Sequence, residues 1–134
     1  MSALYFDLEE KKKLFPDSAD SLIVDMYLSD NPQGSVRLFR VYQQVPEHYH
    51  KQCDEVLIVI AGDLEFQTDG EPAKVLSKDQ LVIFRKNTVH SIKPSGDNPV
   101  YFLSIDTPGR EASDIYFIDP AHNGLKFISH IGER

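Results

Sequence analysis

Apolar residues along this chain come in short bursts separated by clusters of turn-forming residues, a rhythm of strands rather than of helices. Leu22-Ile23-Val24-Asp25-Met26-Tyr27-Leu28 predicts a first strand, and Ser29 to Gly34, with its Asp-Asn-Pro and Gly, predicts the turn after it. Ser35 to Val45 is rich in β-branched and aromatic residues and is closed by Pro46. A strand through His48 follows, and then another over Val56 to Ala61. Gly62-Asp63 reads as a hairpin turn into Leu64 to Gln67, and Thr68-Asp69-Gly70 turns again before Ala73 to Leu76. Leu81-Val82-Ile83-Phe84, uniformly apolar, predicts a buried strand, and His90-Ser91-Ile92 begins another. Pro94 to Pro99 is a dense turn cluster, and Val100 to Ile105 is the last strand before Thr107-Pro108-Gly109.

Only the N-terminus departs from this rhythm. Asp7 is an N-cap for a short helix over Asp7 to Phe15, with Glu9 and Glu10 in its first turn and lysines after them. Leu8, Leu14 and Phe15 supply its apolar side, and Pro16 stops it. Many short strands with regular turns imply an all-β sandwich or barrel, here one domain over 1–134 with a barrel core at about 21–106. The extension 107–134 carries one more apolar run, Ile115-Tyr116-Phe117-Ile118, which can pair with an edge strand of its own barrel or of a partner subunit.

The chain has 134 residues, enough for one core without staples. Its formal charge of −7 argues against a nucleic-acid partner, since phosphate binding needs a basic surface. A single cysteine, Cys53, excludes an internal disulfide and fits a reducing compartment. There is no signal-peptide pattern and no apolar run long enough to span a bilayer, so the expected location is cytoplasmic, with no membrane partner.

The chemistry concentrates in Pro46-Glu47-His48-Tyr49-His50-Lys51-Gln52-Cys53-Asp54-Glu55. On a strand, His48 and His50 point the same way, whereas Glu55 joins them only if the chain turns within 51–54 and Glu55 opens the next strand. Two imidazoles and a carboxylate meeting at one point suit a divalent ion. Glu47, beside His48, faces outward. Cys53 is needed only as a small residue, and His122 and His130 fall in the tail, away from this stretch.

His48-x-His50, four residues, Glu55, six residues and Gly62 resemble the first motif of the cupin superfamily. Asp79 to His90 is similar to the second, with Asp79 where glycine is usual, Arg85 where proline is usual, and Asn87 and His90 in place. The resemblance spans Val36 to Ile105. It implies a double-stranded β-helix (jelly-roll) barrel and a metal held by His48, His50, Glu55 and His90. The ion it implies is divalent, one of Fe, Mn, Ni or Zn. It implies a metal-dependent enzyme acting on a small oxygen-rich substrate, foremost a dioxygenase-type oxidoreductase. A sugar isomerase or lyase on the same site, or a non-catalytic small-ligand binder, are the alternatives.

Alternation extends the cavity wall. With Glu55 facing in, so do Leu57 and Val59; with His90 facing in, so does Ile92. For Val36 to Tyr42, parity allows either Arg37, Phe39 and Val41 or Leu38, Arg40 and Tyr42 inside. The resemblance favours the second set, with Arg40 or Tyr42 as a polar contact, and Tyr42 or Tyr101 as an acid or base. Arg85 points either to solvent or toward an anionic substrate at the barrel mouth. Small cupins resemble one another as homodimers, which makes Leu22 to Leu28 and Ile115 to Ile118 the candidate interface elements.

Overall fold

A computed structural model of the chain describes residues 3–132. Two β-sheets face each other around a shared apolar interior. The first sheet runs in the order β11(Ile128–His130), β1(Ile23–Asn31), β2(Gly34–Val41), β9(Val100–Thr107), β4(Asp54–Ala61), β7(Leu81–Phe84). The second runs β10(Tyr116–Phe117), β3(Val45–Tyr49), β8(His90–Ser95), β5(Asp63–Thr68), β6(Lys74–Leu76). Consecutive strands repeatedly cross from one sheet to the other, as in a jelly roll, so the all-β barrel expected from the turn rhythm is what forms.

Alternation along the strands fills the interior. Leu57 and Val59 of β4, Leu64 of β5, Phe84 of β7, Ile92 of β8 and Phe102 of β9 belong to one buried cluster. A smaller cluster of Phe15, Val24, Met26 and Leu38 lies on the outer face of the first sheet. Helix α1(Leu8–Lys12) is shorter than expected, with Asp7 accepting from the backbone N–H groups of Glu9 and Glu10 as its cap. Phe15 is buried on the sheet while Leu14 stays exposed, because the helix has ended before either residue.

Several expectations are corrected. The stretch from Ser35 to Val45 is two strands, broken at 42–44 where the chain passes from the first sheet to the second. Inside the barrel β2 places Arg37, Phe39 and Val41, not Leu38, Arg40 and Tyr42. Arg40 and Tyr42 lie outside: Arg40 Nη1 donates to the Pro16 carbonyl at 3.0 Å, and the Tyr42 hydroxyl donates to the same carbonyl at 2.7 Å. Leu81 to Phe84 is not a buried strand. It is a sheet edge whose Leu81 and Ile83 are each 52% exposed, and only Phe84 is fully interior. Both candidate interface elements are engaged by the chain itself. β11 pairs in parallel with β1, and Tyr116–Phe117 pair with β3.

The turns explain which residues the two motifs require. Gly62 has φ +72°, and a Cβ there would stand 2.4 Å from the Pro99 carbonyl oxygen. Asp79, where glycine is usual, has φ +72°, and Asn87 has φ +67°. Asp and Asn are the side chains that visit this left-handed region with least penalty. Gly62→Ala is therefore expected to cost about 2–3 kcal/mol. Asp79→Gly, at an exposed site, is expected to gain up to ~1 kcal/mol. Urea denaturation of the two variants beside the parent checks both signs.

Candidate metal centre

His48 lies on β3, and His50 follows one residue past its end. His90 opens β8 directly opposite His48 in the ladder. Glu55 belongs to β4 in the facing sheet, so the site spans both sheets rather than two adjoining strands. Residues 51–53 make the crossing. Asn87 N–H donates to the His50 carbonyl at 2.7 Å, and Lys86 N–H to Asp54 Oδ1 at 2.9 Å, which ties the two sequence motifs together across the crossing.

The three imidazoles share one hydrogen-bonding pattern. His48 Nδ1 lies 2.7 Å from the Pro46 carbonyl, His50 Nδ1 2.7 Å from the Asp114 carbonyl, and His90 Nδ1 2.9 Å from the Thr88 carbonyl. A carbonyl only accepts, so each Nδ1 carries the proton and each Nε2 is left with a lone pair. The three rings offer ligand atoms within 4.8 Å of one another. Glu55 Oε1 stands 3.7 Å from His50 Nε2 and 3.5 Å from His90 Nε2. All three histidines are buried. Phe84 stacks on His90 with ring centroids 3.9 Å apart, fixing its plane.

Protonation follows from burial. Burial, then the neighbouring His90 and His50, push the His48 imidazole down to about 3, so it is neutral at ordinary pH. Burial alone would raise the Glu55 carboxyl, but His50 and His90 outweigh this and hold it well below the usual carboxylate range. Three inward Nε2 atoms converge beside a carboxylate that, without a cation, is held by hydrogen bonds from His50 and His90, and a cation bound there takes the place of those protons. This donor set fits a divalent cation and leaves it one net positive charge.

Cys53 is buried, and burial pushes its thiol up to about 12, so it is a neutral side chain beside the crossing. Glu47 is exposed, as is Arg85. Tyr101 lies on the outer face against Phe15 and Arg40, so neither it nor Tyr42 reaches the cavity. His122 packs near Phe117, and His130 pairs through Nδ1 with Asp25.

Three residues of the site, Asp114, Arg110 and Phe127, were not anticipated, and a fourth, Arg37, belongs to the face of β2 that the resemblance disfavoured. Asp114, in the C-terminal extension, takes the His50 proton on its main-chain oxygen. Its carboxylate accepts from the N–H groups of Lys51 at 2.7 Å and Gln52 at 3.0 Å, capping the start of the crossing. Arg110 donates to the same Asp114 carbonyl; its 2.7 Å approach to His50 Nδ1 reflects two donors sharing one acceptor. Arg37 is buried between Asp25 at 3.0 Å and Asp106 at 2.8 Å. Phe127 covers His48 from the tail, with ring centroids 6.3 Å apart. Arg37, Arg110 and Phe127, with the three histidines and Glu55, line a cavity of about 30 Å³, otherwise walled by apolar side chains such as Phe39, Leu57, Ile92 and Phe102. No sequence spacing links 110–127 to the histidines; only the fold does.

The sequence matches the model of the cupin domain (Cupin_2) over residues 38–106. A search of curated proteins finds no match. Among solved structures, one similar chain is an uncharacterized protein with a double-stranded beta-helix domain from Klebsiella pneumoniae. It is 17% identical, with 88% of this chain and 99% of that one covered and a TM-score of 0.71. KdgF from Halomonas sp. is 16% identical, with 74% and 92% covered and a TM-score of 0.63. The DMSP lyase DddQ from Ruegeria pomeroyi is 20% identical, with 67% and 45% covered and a TM-score of 0.59. At these identities the likeness is one of fold.

Two outcomes follow from the geometry. Asp114→Ala keeps the carbonyl but uncaps Lys51 and Gln52, and is expected to weaken Zn(II) or Mn(II) affinity roughly 10-fold or more, read by chelator competition. The metal-free protein is expected to lose stability as pH falls from about 6.5 toward about 3, because the unfolded chain takes up the His48 proton that the folded chain refuses. Thermal denaturation across that range shows it, and the loss is expected to shrink in His48→Gln.

Proposed function

This chain belongs to the cupin family, and we propose that it is a metal-dependent enzyme acting on a small oxygen-rich substrate, foremost a dioxygenase-type oxidoreductase. The observation that carries this reading is the set of three imidazole Nε2 atoms and one carboxylate facing a small, largely apolar cavity. His48, His50, Glu55 and His90 would hold the ion. Fe, Mn, Ni or Zn there would supply a Lewis acid with open positions for a chelating substrate, and Fe, Mn or Ni would add redox chemistry with dioxygen.

The chain's own residues orient and desolvate. Carbonyls of Pro46, Thr88 and Asp114 hold the imidazoles in one tautomer, and Phe39, Phe102 and Phe127 keep bulk water out. The cavity wall favours oxidative chemistry over proton shuttling. Tyr42 and Tyr101, the sequence candidates for acid and base, are outside the barrel, and the carboxylate on the wall, Glu55, is committed to the ion. A lyase or isomerase is the second reading, favoured by the similarity of fold to a protein whose name is DMSP lyase.

Elemental analysis of an untagged preparation is expected to find one equivalent of a transition metal, and His90→Ala or Glu55→Ala to lose it. Oxygen-electrode assays over a panel of small oxygen-rich compounds, catechols, flavonols and diketones among them, are expected to show uptake dependent on that metal with at least one. Turnover without oxygen would move the assignment to a lyase or isomerase. Thermal shifts without any turnover would reduce the protein to a ligand binder, and a metal-free native protein would overturn the reading.

A further inference from the structure

We propose that the ligand of this cavity is a small carboxylic acid, whose carboxylate is recognised by Arg37 and Arg110. The inference rests on the metal reading above and adds the substrate class. Two guanidinium groups line the same cavity as the three histidines and Glu55. Both are almost wholly buried, Arg37 at 4% and Arg110 at 7% exposure. Burying two guanidiniums beside an incipient dication is costly unless something anionic shares the space.

The two arginines differ in what they have left to give. The Nη groups of Arg37 are committed to Asp25 and Asp106, which also offset its charge. Its Nε–H is buried and has no acceptor among the described residues. A buried donor without a partner is rare and calls for an acceptor from outside the chain. Arg110 has the converse surplus. Its nearest carboxylate, on Asp114, is 4.0 Å away, and both oxygens of that carboxylate already accept from Lys51 and Gln52. The positive charge of Arg110 is thus only loosely matched, while Arg37 offers an unused hydrogen bond.

Size completes the description. A cavity of about 30 Å³ admits roughly two waters. A two-oxygen head group is about the most that such a space takes, so the rest of the ligand must be short, and a small α-hydroxy or α-keto acid fits better than a sugar ring or a catechol.

The test is titration calorimetry of the Mn(II)-loaded full chain with glycolate and pyruvate, each against its own primary amide, which keeps the shape and removes the charge. Each acid is expected to bind at least about tenfold more tightly than its amide. Arg110→Gln, saturated with Mn(II), is expected to bring that ratio to threefold or less, and Arg110→Lys to restore part of it. Because Arg37 variants strand Asp25 and Asp106 and threaten folding, the acid-to-amide ratio on the parent protein serves as the independent measure. Equal binding of acid and amide, or binding of neither by protein that holds one Mn(II), overturns the carboxylate proposal and leaves the metal reading intact. Protein that takes up no Mn(II), Zn(II) or Fe(II) overturns both.

Discussion

Everything at the site depends on where three protons sit. A neutral imidazole has one donor and one acceptor nitrogen, and the fold spends each donor on a main-chain carbonyl. Were any Nδ1 to lose its carbonyl, its ring could take the other tautomer or turn, and one lone pair would leave the cluster. The backbone is thus part of the donor set. Two of these carbonyls lie two residues before their own histidine, at Pro46 and Thr88, so local strand geometry supplies them. The third comes from Asp114, 64 residues along the chain, and makes His50 conditional on the fold of the tail.

That distinction runs through the molecule. The ladder placing His48 opposite His90 is intrinsic to the barrel, whereas the crossing from His50 to Glu55 is braced from two directions. Asn87 and Lys86 reach it from the second motif, and Asp114 reaches it from beyond the last barrel strand. The buried Arg37 has a similar logic. Its neighbours in the first sheet, β1 and β9, each contribute one carboxylate, so a charge that would be prohibitive alone is held by two partners drawn from distant parts of the chain.

Legibility in the sequence followed interaction range. His48, His50 and Glu55 could be read because spacing and strand parity are local properties, His90 came in through the resemblance of its motif, and the structure brings all four side chains to one cavity. The inward face of β2 could not be read, because two facts stood against each other: Arg37 and Arg40 are chemically alike, and alternation gives a period without a direction. What decides it is Asp25 and Asp106, 12 and 69 residues away. Leu81 and Ile83 were misjudged for a related reason. An apolar run says that a strand is there, not whether it ends a sheet. Arg110, Asp114 and Phe127 carried no signal because their role exists only once the tail has folded back.

The tail strands β10 and β11 cap one end of each sheet, and the other ends are β6 and β7, joined by a short turn. With the tail folded back, the outermost strands on that flank are β11 and β10, of three and two residues, in place of β1 and β3, of nine and five. Short edges give another chain little backbone to pair with, so the tail blunts the sandwich against strand-to-strand growth as well as covering His48.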